Sequence, residues 1–341
     1  MSLDLPLIWA GLIAIAVLLY VMLDGFDLGI GILFPFAGSS AERDTMMATV
    51  APVWDGNETW LVLGGGGLFA AFPFAYAALM PALYIPIILM LLALILRGVA
   101  FEFRLNGRAR GTRFWTVAFT AGSLTATFAQ GLVLGGFIQG VKLNGLAFAG
   151  GPFDWLTPYS LLVAVGLVAG YALIGACWLV WRTERGLQDR ARRWAWIALG
   201  AVALLLAAVS VATLFVHAQV AERWGWRDGH FDLGKLARLS PIPLLGAAGL
   251  AAAALGLRAR AHGWPFAGAI AVFLSGYLGL AAGFFPDIVP YAMTFRQAAN
   301  ADNALGLLLG GGAILLPAII GYSLWVYWIF RGKVGADASY H

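Results

Sequence analysis

The sequence predicts an all-α polytopic membrane protein with about nine transmembrane helices. Three observations carry this reading. Hydrophobic residues make up 61% of the 341 and charged residues 11%, against roughly 25% charged in a soluble domain. Apolar runs of about 20 residues recur along the whole chain with short breaks. The basic residues fall between those runs in an alternating pattern. Mean hydropathy is +0.85. A soluble chain of this length would lack the polar surface to cover itself, a need that lipid as solvent removes.

The runs follow one another in order. The first extends from about Leu7 to Leu33. Its start, MSLDLPLIW, has no basic n-region and leads into an acidic motif without a clear small-residue cleavage site. It therefore reads as a retained helix, not a signal peptide. The second runs from about Met47 to Phe72 and the third from about Tyr76 to Gly98. The fourth covers Phe114 to Gly140, the fifth Pro158 to Trp181 and the sixth Trp194 to His217. The seventh, Pro241 to Leu257, is short. The eighth covers Trp264 to Phe285 and the ninth Ala304 to Phe330. Between the sixth and seventh lies the longest outside loop, Ala218 to Ser240, expected to be an interfacial segment with Trp224 and Trp226 at headgroup level.

Orientation follows from the basic residues. One set of alternate loops holds Arg43, Arg97, Arg104, Arg108, Arg110, Arg113, Arg182, Arg185, Arg190, Arg192, Arg193, Arg258, Arg260, Arg331 and Lys333, which is 15 of the 21 Lys and Arg. The other set holds Lys142, Arg223, Arg227, Lys235, Arg238 and Arg296. Nine spans then place the N-terminus outside, which is the periplasm for a bacterial inner-membrane chain, and the C-terminus in the cytoplasm. The same clustering explains the net charge of +4 without nucleic acid as a partner.

Several chemistries are excluded or disfavoured. Cys177 is the single cysteine, so no internal disulfide and no cysteine-based metal site can form from it. The glycine run Gly64–Gly67 lacks the GK[ST] of a phosphate loop and reads as close helix packing. His217, His230, His262 and His341 are the only histidines, and none falls deep in a span. Haem in a membrane bundle usually needs an axial His or Met at depth. Met80 and Met90 have no partner histidine there, so the chain is expected to hold no haem itself. No zinc, nucleophile-elbow or dinucleotide motif is present.

Acidic residues inside the runs carry the functional signal, since an ionised group in the bilayer costs at least ~2.5–3.5 kcal/mol. In LDGFDLG, Asp24 and Asp27 share a helix face near the cytoplasmic end of the first span. Two close carboxylates repel when both are ionised, chemistry suited to proton exchange; the bland alternative is contact with cytoplasmic water or a nearby Arg. In APVWDGNETWL, Asp55 and Glu58 again share a face, and a second span starting near Met47 places them roughly 10–16 Å along it. Asn57 adds an amide, and Trp54 and Trp60 add bulky walls. Proton conduction from the cytoplasm, or binding of a cation or polar headgroup, fits this island. Arg97 closes the third span, either as the partner of a buried carboxylate or as a positive-inside anchor.

The strings LDGFDLGIGILFPF, APVWDGNETWLVLGGGGLFAAFPFAYAALMPALY and LRGVAFEFR, with YWIFRGKV near the end, closely resemble subunit II of the cytochrome bd ubiquinol oxidase family, nearest its cyanide-insensitive branch. The match is strong over about residues 1–110 and looser beyond. The resemblance implies two four-helix bundles plus one peripheral helix within a single integral membrane domain: about 1–140, about 155–286 and about 304–330. It implies a partner, subunit I, holding two b-type haems and haem d (or a third b-type haem), in the bacterial cytoplasmic membrane. The complex would oxidise quinol, reduce oxygen to water and build a proton gradient from cytoplasmic protons. Asp55 matches the aspartate of the family's WDGN motif, implicated in a proton path. Asp24 and Asp27 match the DGFD pair, and Trp60 a tryptophan beside a proposed oxygen route. Glu58 stands where other branches carry Gln. Some relatives hold a ubiquinone in this subunit, and a small single-helix accessory subunit is compatible with the resemblance.

A proton- or ion-coupled secondary transporter is the competing class, since it too carries intramembrane carboxylates and glycine-broken helices. Against it, the two halves show no paired broken-helix pattern. Pure structural support, with Asp55 dispensable, is a third reading.

Overall fold

The structure is a computed structural model that describes residues 3–106, 112–227 and 230–335; Arg108, Arg110 and His341 lie outside them. The chain folds into long helices joined by short caps. In order these are α1 (Leu5–Leu33), α2 (Ser40–Ala48), α3 (Trp54–Ala71), α4 (Pro73–Asn106) and α5 (Thr112–Gln139). Then come α6 (Pro158–Arg182), α7 (Arg185–Thr213), α8 (Ala218–Arg223), α9 (Leu233–Leu239) and α10 (Pro241–Arg258). The last are α11 (Trp264–Phe284), α12 (Phe295–Ala298) and α13 (Asp302–Ile329). Three small antiparallel hairpins accompany them: β1/β2 (Leu143–Asn144, Ala147–Phe148), β3/β4 (Trp226–Arg227, His230–Phe231) and β5/β6 (Asp287–Val289, Met293–Thr294).

Eight of the described helices are long and apolar enough to cross a membrane: α1, α4, α5, α6, α7, α10, α11 and α13. The ninth expected span differs. The helix α3 has 18 residues and begins at Trp54, not near Met47. The chain before it forms the short helix α2 and a turn through residues 49–53. Pro52 restricts Ala51 against the helical region, which helps to end the earlier helix. The polar string Asp55–Gly56–Asn57–Glu58 then fills the first turns of α3 and lowers its apolar content.

Local chemistry sets the ends. Asp4 caps α1 by accepting from Leu7 N, with Pro6 in the first turn. Thr157 and Ser160 form a reciprocal capping box on α6, with Pro158 at its first position. Ser39 caps α2.

Packing places α1 at the centre. It lies against α3, α5 and α6, while α4 pairs with α5, α6 with α7, and α10 with α11. From Asp24 to Gly31 every residue of α1 is buried, as expected of a helix surrounded on all sides. The groups α1, α3, α4, α5 and α6, α7, α10, α11 form two bundles joined through α1–α6 and α5–α6 contacts. The helix α13 lies outside both, resting on α1 and α3, with only Leu305 buried along it.

Close crossings depend on glycine. A Cβ on Gly29 would strike the Tyr171 carbonyl and Gly175, and one on Gly175 would strike Gly29. The Gly64–Gly67 run contributes less: Gly64 faces Val17 and Gly67 faces Ile13, while Gly65 and Gly66 face open space.

Contacts gather the connecting segments at two ends. At one end Arg104 pairs with Asp44 at 2.6 Å, Arg190 with Glu42 at 3.3 Å, and Arg192 donates to the carbonyls of Arg260 and Ala261. Arg182 reaches the Phe330 carbonyl there. At the other end Arg223 pairs with Asp287 at 2.9 Å, Tyr291 donates to the Ile138 carbonyl, and Arg296 pairs with Asp4. That last hydrogen bond holds the Asp4 carboxyl below the usual carboxylate range. All three hairpins belong to this second end. In the 218–240 segment Trp226 is exposed, while Trp224 is half-buried beside Gly279 and Gly283.

Candidate functional site

The acidic and basic residues singled out in the sequence meet inside the first bundle. Arg97 does not close its helix: α4 continues to Asn106, so Arg97 sits within it, 1% exposed. Its guanidinium pairs with Asp24 of α1, which is fully buried. Arg97 is thus the partner of a carboxylate inside the bundle. The same guanidinium lies over the Trp54 ring at 5.5 Å, a cation–π arrangement. Arg97 Nη1 is 3.9 Å from Glu58 Oε2, within ion-pair range but too far for a hydrogen bond.

Asp27, 2% exposed, takes a different partner. Asn57 of α3 donates from Nδ2 to Asp27 Oδ2 at 2.8 Å. Tyr327 of α13 donates from its hydroxyl to Asn57 Oδ1 at 2.7 Å. Three helices are thus linked by a phenol, an amide and a carboxyl. Asp27 Oδ1 and Asp24 Oδ2 are buried with no hydrogen-bond partner among the described residues.

A second polar string leads from α1 toward α6. Gln130 of α5 donates to the Tyr20 hydroxyl at 2.6 Å, and the Tyr171 hydroxyl donates to Gln130 Oε1 at 3.0 Å. Tyr20 lies one turn before Asp24 on the same face of α1. Sequence reasoning missed Tyr20, Gln130 and Tyr171, and did not single out Tyr327. The spacing of Tyr20 and Asp24 was the available signal; the long-range partners had none.

The acidic residues of α3 form a gradient of exposure. Because the helix starts at Trp54, Asp55 occupies its first turn and is exposed, not buried 10–16 Å along a span. Glu58, one turn later, has a side chain 26% exposed. Asn57 and Trp60 on the opposite face are buried. Trp60 packs with Ala16 and Tyr20 of α1, and its Nε1 has no hydrogen-bond partner among the described residues.

The described histidines supply no axial site for haem. His217 caps α8 and stacks on Tyr291 at 3.9 Å. His230 lies in β4, and His262 Nδ1 faces Gln188 Nε2 at 3.1 Å. None is within a membrane-length helix. Among the described residues no group of three or more His, Cys, Asp or Glu is placed to hold a metal ion. Cys177 is buried.

Comparison with known proteins agrees with this architecture along nearly the whole chain. The chain is 29% identical over 337 residues to "Cytochrome bd ubiquinol oxidase subunit 2" of Bacillus subtilis (strain 168), covering 96% of each. It is 29% identical over 362 residues to "Cytochrome bd-I ubiquinol oxidase subunit 2" of Escherichia coli (strain K12), covering 97% of this chain and 95% of the relative. The fold is similar to a chain in the structure of bd oxidase from Geobacillus thermodenitrificans, with a TM-score of 0.75 at 18% identity, over 97% of this chain and 100% of that one. The family model described as "Cytochrome bd terminal oxidase subunit II" matches residues 5–330. The chain belongs to that family, the second subunits of cytochrome bd terminal oxidases.

Proposed function

We propose that this chain serves a quinol-oxidising, oxygen-reducing complex by supporting a haem-bearing subunit I and carrying protons toward it from the cytoplasm. The observation that carries the reading is the carboxylate series on α3 and α1, which passes from exposed Asp55 through partly exposed Glu58 to buried Asp24 and Asp27. Asp55 is the entry group in water. Glu58 is the intermediate, within reach of Arg97. Asp24 is neutralised by Arg97, which lets the cluster hold a second carboxyl, Asp27, in a dry interior. The redox chemistry belongs to two b-type haems and haem d, or a third b-type haem, in subunit I. None of the described histidines lies within a membrane-length helix, so they offer such a haem no axial ligand. Trp60 borders the α1–α3 seam as the wall of an apolar oxygen route.

Orientation belongs to the same proposal. The end rich in basic contacts faces the cytoplasm, the hairpin end the periplasm, in a bacterial cytoplasmic membrane. A bound ubiquinone and a small single-helix accessory subunit remain part of the expected complex.

The test is Asp55→Asn in the purified complex. Quinol-driven oxygen consumption is expected to fall on the order of tenfold or more, as for loss of a proton-transfer group. The optical haem content should stay unchanged. Unaltered oxygen consumption removes Asp55 from the path and leaves a scaffolding subunit. A lone colourless chain that transports a solute, without a haem-bearing partner, would overturn the oxidase reading itself.

A further inference from the structure

We propose that Tyr327, on the peripheral helix α13, is a positioning residue that sets the orientation of the Asn57 amide and thereby decides which oxygen of Asp27 exchanges the proton. The proposal rests on the reading of Asp27 as a proton carrier. It adds a component, and a helix, that the reading does not use.

The geometry is specific. An amide side chain can present either its oxygen or its nitrogen to a neighbour. The Tyr327 hydroxyl donates to Asn57 Oδ1, so the amide nitrogen is turned the other way. Nδ2 then donates to Asp27 Oδ2 at 2.8 Å and reaches the Leu23 carbonyl at 3.4 Å. With Oδ2 engaged as an acceptor, Asp27 Oδ1 is the oxygen left over, buried and without a partner among the described residues. Among the described residues Asp27 has no ion-pair partner of its own: Arg97 pairs with Asp24 and approaches Glu58. A buried carboxyl without a cation is neutral when it carries a proton, and Oδ1 is where this arrangement puts it. Tyr327 can do this because α13 is anchored at that end. Arg182 holds the Phe330 carbonyl, and Val334 N donates to the Arg182 carbonyl. The rest of α13 presents almost no buried residue, so its phenol is a polar handle that this largely apolar helix extends to the interior.

Loss of the phenol oxygen frees the amide to rotate. An oxygen facing Asp27 would accept from the protonated carboxyl and draw its proton to Oδ2, away from Oδ1. Tyr327→Phe should therefore slow turnover of the purified complex about twofold to tenfold, the range of one net hydrogen bond. Haem content should not change. A structural role alone would not move the infrared C=O stretch of the protonated Asp27 carboxyl, identified by its loss in Asp27→Asn. That band is expected to shift in Tyr327→Phe. Asn57→Ala, which removes the donor itself, should shift it too, and adding Tyr327→Phe to Asn57→Ala should slow turnover no further. A band present in the parent complex but unmoved by Tyr327→Phe, or a further loss in the double variant, overturns the positioning role and leaves the proton path standing. Absence of any band lost in Asp27→Asn also overturns it. Unchanged oxygen consumption in Asp27→Asn overturns the proton path as well.

Discussion

At the scale of single residues, Arg97 governs how the others can be charged. It faces Asp24 directly, Glu58 at 3.9 Å and the Trp54 ring at 5.5 Å, and is 1% exposed. Removing one partner of a buried pair leaves an uncompensated charge and typically costs ~3–5 kcal/mol. Arg97→Met should accordingly lower the thermal stability of the purified complex sharply. Pairing it with Asp24→Asn should recover much of the loss, because the double variant buries no lone charge. A single variant as stable as the parent would mean that the pair is solvated in the complex. The charged members of this site were legible in the sequence because a carboxylate or guanidinium inside an apolar run has no cheap explanation. The tyrosines were not legible. A phenol is ordinary in a membrane helix, and nothing local says that Tyr327 meets Asn57 across 270 positions. The depth of Asp55 was also misplaced, because the apolar string MMATVAPV runs into α3 and disguises the turn that precedes Trp54.

At the scale of elements, α1 and α6 form the crossing on which the site depends. Asp24 and Asp27 lie on the same stretch of α1 as Gly29, and Tyr171 on the same stretch of α6 as Gly175. The two backbones approach so closely that neither glycine has room for a Cβ, the small-residue packing that membrane helices use. Gly29→Ala would push Tyr171 away, and with it the hydrogen bond to Gln130. Overpacking of this kind costs about 1–3 kcal/mol, so a lowered melting temperature of the complex is expected. Gly200→Ala is the control: Gly200 is exposed on α7 and its added Cβ would meet nothing within 4 Å. Equal effects of the two substitutions would rule out the crossing as the cause. The sequence drew attention to Gly64–Gly67 instead, because a run is conspicuous. A single glycine at a crossing has the same physics without the visible pattern.

At the scale of the whole molecule, the alternation of basic loops requires that the segments between successive spans gather at two ends, and they do. Among the described basic residues assigned to the cytoplasmic side, Arg97, Arg104, Arg182 and Arg192 are buried, so they are structural ties as well as topological markers. Their partners still join like to like. The Arg104 and Arg190 pairs hold α2 against α4 and α7, and Arg192 holds the turn after α10. The opposite end is closed by the hairpins and by Arg223, Tyr291 and Arg296. Such a division into two ends fixes the axis of the molecule but not its sense; the sense comes from the unequal charge. Labelling can read it, because Cys177 is fully buried and gives little background. Asn144→Cys, exposed on the β1/β2 hairpin, should react with a membrane-impermeant maleimide in right-side-out spheroplasts. Glu184→Cys, exposed between α6 and α7, should react only in inverted vesicles. The reverse pattern would turn the molecule over and place Asp55 on the periplasmic side, where it could not take protons from the cytoplasm.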